Sequence, residues 1–167
     1  MKNIQVNFSG DINEENVRAF ISELKNKIEK NHESESLTVL ISSSGGSIDI
    51  AIELFYFLKH LDCKITTVNT SIVNSAAIII FAAGEKRIGL SYSSFYVHSV
   101  SKELNGIFTV EDLRREAREM EIHTEKIVEI LANASAKNKA YWKKLMKKGC
   151  FLTAQKAKEI ELVTEIS

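Results

Sequence analysis

Proline is absent from this chain of 167 residues. Its turns must therefore use Gly, Asn, Asp or Ser, which tolerate or stabilise tight reversals. Cysteine is scarce: Cys63 and Cys150 are the two present, far apart and in no metal-ligand spacing. No secretory signal is in view, so they read as reduced thiols and the protein as cytoplasmic. Net charge is missing too, with 22 Lys and Arg balanced by 22 Asp and Glu. That removes any whole-chain electrostatic case for nucleic acid or an acidic membrane surface. The longest apolar run, residues 76–83, is far short of the roughly 20 residues of a membrane span. It reads as a buried helix. No metal or cofactor is called for.

What is present is an alternation of short strands and amphipathic helices. Residues 4–8 alternate apolar and polar, as a strand does. Val17, Phe20, Ile21, Leu24 and Ile28 recur at helical spacing behind a candidate cap at Asp11. A polar turn over 31–36 precedes a buried strand at 37–41. Residues 42–47 interrupt it and lead into a helix with Ile48, Ala51, Ile52, Leu54, Phe55 and Leu58 on its apolar face. A third strand spans 63–70. A turn at 71–75 follows, then the apolar helix 76–83, with Gly84 placed as a helix C-terminal glycine.

Residues 87–90 and 95–98 read as two more strands, and Asn105-Gly106 as a turn. One long helix covers 109–133, capped by Thr109 with Asp112 three residues on. A lysine-rich helix covers 137–148, a short one starts at Thr153, and Leu162-Val163 is extended. Strand–helix alternation predicts an α/β fold of βαβ units with right-handed crossovers and a mainly parallel sheet. A domain of this length buries roughly 70% of its unfolded surface. With no linker and no repeat, residues 1–167 read as one domain.

Two turns carry possible chemistry, because ligands in open α/β sheets bind beyond the carboxyl ends of strands. In Ser44-Gly45-Gly46 the adjacent glycines let the backbone approach a ligand closely and aim an amide at it. Asn74-Ser75 opens a helix, the setting of a nucleophile elbow, and the Ala76 amide sits at that helix start. His98 ends a strand and is a candidate base. Each feature has an ordinary alternative: a tight turn, a helix cap, a strand-end histidine. His32, His60 and His123 have no clustered partners and read as structural. The lysine run of 137–148 reads as a solvated face, Trp142 as a core residue, and Cys150 as an idle thiol.

Taken together, the blocks resemble the proteolytic subunit of the Clp protease family. Residues 41–48, ISSSGGSI, are similar to its I-N-S-P-G-G-x-I segment. Residues 75–84, SAAIIIFAAG, are similar to its S-M-x-A-x-L-L-A-A-G block. Tyr96-Val97-His98-Ser99 resembles M-I-H-Q, and Phe151-Leu152-Thr153-Ala154 with Leu162-Val163 resembles F-L-S-A and G-L-V-D. The likeness runs from about Ile4 to the end, in order. It implies a ClpP/crotonase-like α/β fold with a handle region at about 99–133 and C-terminal helices. It further implies a serine endopeptidase that cleaves peptides or unfolded proteins inside a homo-oligomeric chamber of stacked heptameric rings. Ser75 would be the nucleophile and His98 the base. Gly46 and Ala76 would supply the oxyanion amides, with Gly45 and Gly46 along the substrate.

The chain departs from that pattern in four places. Where the resemblance puts the family's catalytic Asp, this sequence has Gly149, and no acid occurs from Lys137 to Cys150. Val73 and Asn74 replace small residues before Ser75. Glu161 stands where the family prefers Gly. The family's N-terminal gate segment, which meets an AAA+ ATPase, has no counterpart here, so that partner is not expected. Three readings stay open: a peptidase working through Ser and His without Asp, a catalytically impaired structural subunit of a Clp-like ring, and a crotonase-like acyl-CoA enzyme.

Overall fold

A computed structural model describes residues 2–30 and 34–167. The elements run β1 Lys2–Ser9, α1 Glu14–Lys30, β2 Ser34–Ser43, α2 Ile48–Lys59, β3 Lys64–Asn74, α3 Ala77–Phe81, β4 Lys86–Gly89, β5 Ser94–Val97, α4 Val110–Asn133, α5 Lys139–Lys148, β6 Cys150–Thr153, α6 Ala154–Glu159 and β7 Glu165–Ile166. Residues 98–109 form neither helix nor strand. The order β1-β2-β3-β4-β7 is parallel throughout. Parallel neighbours need crossover connections, which α1 and α2 supply between the first three strands. The predicted α/β class with a mainly parallel sheet is the observed one.

The strands are apolar because both faces of the sheet are covered. Val6, Phe8, Val39, Ile41 and Val73 are buried in one cluster with Val17, Phe20, Leu24, Leu54 and Leu58 of the covering helices. Phe8 and Phe20 meet edge to face at 5.5 Å, a favoured aromatic geometry. Every residue of α3 is buried. Trp142 is fully buried, and its indole N–H donates to the Ser135 hydroxyl at 3.0 Å.

The site depends on one irregularity. β3 changes partner along its length: Thr66–Asn69 pair with β4, whereas Ile72–Asn74 pair with β5. Asn69 sits at the fork, fully buried. Its Oδ1 accepts from the Ser71 amide at 3.1 Å, and its Nδ2 donates to the Ser94 carbonyl at 2.9 Å. Thr70 Oγ1 donates to the Ile41 carbonyl at 3.1 Å. These side chains satisfy backbone groups that the broken ladder would leave unpaired. A second polar anchor is Arg87, which donates to the carbonyls of Leu162, Gly84, Ala134 and Glu161. Burial pulls its guanidinium below the usual arginine value, yet an arginine stays charged at any working pH.

Several expectations are corrected. Residues 71–74 continue β3 instead of turning, because β5 offers them a new ladder. The apolar helix shortens to α3, with Ala82 and Ala83 in a turn. Gly84 is not left-handed; it is there for space, since a Cβ would lie 2.5 Å from Thr67 Oγ1. Asn13, not Asp11, caps α1 by accepting from the Asn16 amide at 2.8 Å. Leu162-Val163 are buried but not a strand, which falls instead at β7. Of the polar turn expected over 31–36, residues 34–36 belong to β2, and 31–33, with His32, lie outside the described residues. The Thr109–Asp112 capping box forms as expected, as do α4 and α5 within a residue or two.

Asn69→Leu keeps the volume but strands the Ser71 amide and the Ser94 carbonyl. Its expected cost is about 2–3 kcal/mol, measurable by urea unfolding, against near-neutrality for an exposed change such as Lys144→Ala.

Candidate active site

Three adjacent strands end at one place. β2 delivers the turn 44–47, β3 delivers Ser75, and β5 delivers His98. The turn is held against residues 10–12: Ile12 N donates to Gly45 O at 2.8 Å, Ser47 N donates to Ile12 O at 2.9 Å, and Ser44 Oγ donates to Asp11 Oδ1 at 2.8 Å. Here glycine is obligatory. A Cβ on Gly46 would lie 2.4 Å from Ile12 O, and one on Gly45 would lie 2.7 Å from Ser75 Cβ; both have positive φ, 144° and 107°. The Gly45 amide donates to the buried Ser43 hydroxyl. The amides of Gly46 and Ala76 have no intramolecular acceptor among the described residues, so both are available to a ligand.

Ser75 is left-handed, with φ 54°, a strained state for a residue with a Cβ, costing about 1–3 kcal/mol. Its amide donates to the Tyr96 carbonyl at 2.8 Å, which ties the turn to β5. The strain turns Oγ toward His98, where Oγ and Nε2 are 2.8 Å apart. On the far side of the ring, Nδ1 lies 2.7 Å from the Ser99 carbonyl oxygen. A carbonyl only accepts, so Nδ1 carries the proton and Nε2 is left as acceptor for the Ser75 hydroxyl. Among the described residues, no carboxylate bonds the His98 ring.

Position 149, where the resemblance implies an acid, is a glycine. Gly149 ends α5 with φ 66°, and a Cβ there would lie 3.3 Å from the Tyr96 hydroxyl. Tyr96 stacks on His98 with centroids 5.2 Å apart. Beside Ser75 opens a cavity of about 100 Å³, with Ile78, Val97, Ile127, Leu131 and Met146 on its apolar wall and Ser75, His98, Ser99 and Ser101 on its polar one. α4 and α5 thus help shape the site.

The residues singled out in the sequence, Gly45, Gly46, Ser75, Ala76 and His98, come together here. Sequence reasoning missed Ser99, Tyr96 and Asn69. Ser99 acts through its backbone, which no residue type announces. Tyr96 was detectable, because residues two apart on a strand share a face. The remaining candidates stand elsewhere. His60 Nδ1 donates to the Tyr56 carbonyl, and His123 bonds Asp49 at 3.0 Å. Glu119 completes a trio with Asp49 and His123 but is itself paired with Lys102. The Cys150 thiol donates to the Phe151 carbonyl. Burial first, then the charges of Asp62 and Glu85, push the Cys63 thiol up, which keeps it protonated and inert. Within the lysine helix, Lys139 and Lys143 pair with Glu129 and Glu125 of α4.

A family model described as Clp protease matches residues 1–167. The ATP-dependent Clp protease proteolytic subunit 2 of Treponema denticola is 25% identical over 165 residues, covering 98% of this chain and 81% of that protein. The proteolytic subunit 1 of Rhodopirellula baltica is 26% identical over 168 residues, covering 99% and 73%. A solved structure of a ClpP1 mutant from Listeria monocytogenes superposes with a TM-score of 0.85 over 98% of this chain and 90% of that one, at 24% identity; at that identity it speaks for the fold.

Gly45→Ala should displace Ser75 from its left-handed turn. The expected stability loss is about 2 kcal/mol by urea unfolding, with Ser75 no longer reactive toward a fluorophosphonate probe.

Proposed function

The chain belongs to the Clp protease family, and from that premise we propose that it is a serine endopeptidase using a Ser75–His98 pair without a catalytic carboxylate. The observation that carries this reading is the 2.8 Å contact between Ser75 Oγ and His98 Nε2, with Nδ1 held by a backbone carbonyl. Membership makes the protein a hydrolase of the peptidase type; the division of labour among its residues is the proposal.

In this mechanism Ser75 Oγ attacks the scissile carbonyl carbon while its proton passes to Nε2. The developing oxyanion is met by the amides of Gly46 and Ala76. His98 then protonates the leaving amine, and water repeats the sequence on the acyl-enzyme. A triad carboxylate has two tasks: it fixes the histidine tautomer and offsets the imidazolium charge. The Ser99 carbonyl performs the first in full. It performs the second with a dipole only, so turnover is expected below that of a complete triad, whose loss of acid typically costs about 10⁴-fold. Gly149 also favours a second reading, a ring subunit that has lost useful chemistry.

The substrate lies extended along the turn at Gly45 and Gly46, with one side chain in the cavity. We read residues 1–167 as one domain with its handle at about 99–133. Leu104, Ile107, Val110 and Leu113 in that stretch are exposed, and such a row suits burial against other subunits of an oligomeric chamber. Among the described residues no helix is long and apolar enough to cross a membrane.

Purified protein treated with a fluorophosphonate probe should label, and Ser75→Ala and His98→Ala should not. Absence of wild-type labelling in an intact assembly would replace this reading with the structural subunit. Among short peptides, Leu or Met at the residue entering the cavity should be cleaved at least about tenfold faster than Asp or Lys, since no Asp, Glu, Lys or Arg lines it to pair with a charge. Comparison of kcat/KM values checks this.

A further inference from the structure

The sheet places three rings in one column. Tyr96 and His98 are two residues apart along β5 and its extension, so they project to one face. Phe151 on β6 is the direct cross-strand partner of Tyr96. The His98 and Tyr96 centroids are 5.2 Å apart at 22°, and those of Tyr96 and Phe151 are 4.3 Å apart at 26°. Phe151 closes the column with 71% of its surface exposed.

Resting on the Ser75–His98 reading above, we infer that Tyr96 is a positioning residue that takes over, by stacking on His98, the support that a carboxylate at position 149 would give. Two in-plane hydrogen bonds, to Ser75 Oγ and to Ser99 O, leave the tilt of the imidazole plane free. A parallel ring against its face removes that freedom. The same face is electron-rich, so it attracts the imidazolium that forms when the serine proton moves. This complements the part of the acid's work that the Ser99 carbonyl does weakly.

The two solutions crowd each other in space. The Tyr96 hydroxyl already lies 3.3 Å from where a Gly149 Cβ would be, and Gly149 holds a φ of 66° that suits glycine. The hydroxyl itself has no hydrogen-bond partner among the described residues, so the ring is the active part.

The test follows Ser75 phosphonylation, in which the Oγ–P bond forms, the P–F bond breaks, fluoride leaves and His98 takes the proton. Tyr96→Met keeps apolar bulk and removes the ring. It should lower the limiting labelling rate about tenfold with the half-saturating probe concentration unchanged. Tyr96→Phe should recover most of that loss, and Phe151→Leu, at an exposed position, should lose about threefold. A Tyr96→Met rate equal to wild type overturns the inference. So does a Tyr96→Phe rate as low as Tyr96→Met, or a half-saturation that rises in step with the rate loss. If Tyr96→Met fails to assemble by light scattering, an unchanged Phe151→Leu rate overturns it alone. Wild-type protein that labels no better than Ser75→Ala removes the Ser75 reading itself, and this inference with it.

Discussion

The change of partner along β3 is the constraint on which the site depends. A parallel strand normally keeps one neighbour on each side. Here the second neighbour is β4 for the first half and β5 for the second. The fork is possible because Asn69 gives its amide group to the backbone at the break. With β5 paired to the end of β3, the Ser75 amide reaches the Tyr96 carbonyl, and His98, two residues further, falls opposite the Ser75 hydroxyl. Without the fork, Ser75 and His98 would end on strands with no reason to meet.

Around that junction the chain accepts strain and close contact where chemistry needs them. Ser75 holds a left-handed conformation that few residues with a Cβ adopt. Gly45 leaves room for it, and Gly46 lets the backbone pass Ile12 closely enough to expose its own amide. The electrostatics are spare. One carbonyl sets the histidine tautomer, one aromatic face lies against the ring, and two amides face the cavity mouth. This is a neutral version of a constellation that usually carries a buried negative charge. It avoids the desolvation cost of a carboxylate, and it gives up the strength that such a charge lends to the transition state.

Much of the fold was readable in order and type, because strand alternation and helical spacing are local signals. The misreadings share a cause. Residues 71–74, Ser-Ile-Val-Asn, begin and end with turn-forming residues, yet a ladder offered by a distant strand made them extended. The run at 76–83 has helical hydrophobicity, but burial on every side, not helix length, is what its apolar character served. Gly84 sits where a helix C-terminal glycine is common, but the crowding of Thr67 from across the sheet is invisible along the chain. Glu161 is the converse case: it stands where the resemblance prefers Gly, and its backbone is left-handed, φ 60°.

Residue identity alone determined which groups could react: a serine before an apolar helix, a strand-end histidine, a double glycine, and a glycine where an acid was expected. These follow from covalent chemistry and local propensity, which act over a few residues. What only the tertiary structure decided was how the histidine is held. The Ser99 carbonyl exists in every peptide unit, and Tyr96 is an ordinary strand residue. They gain a role because β5, β6 and the end of α5 converge in space, and hydrogen bonds and ring contacts depend on distances that no stretch of sequence encodes by itself.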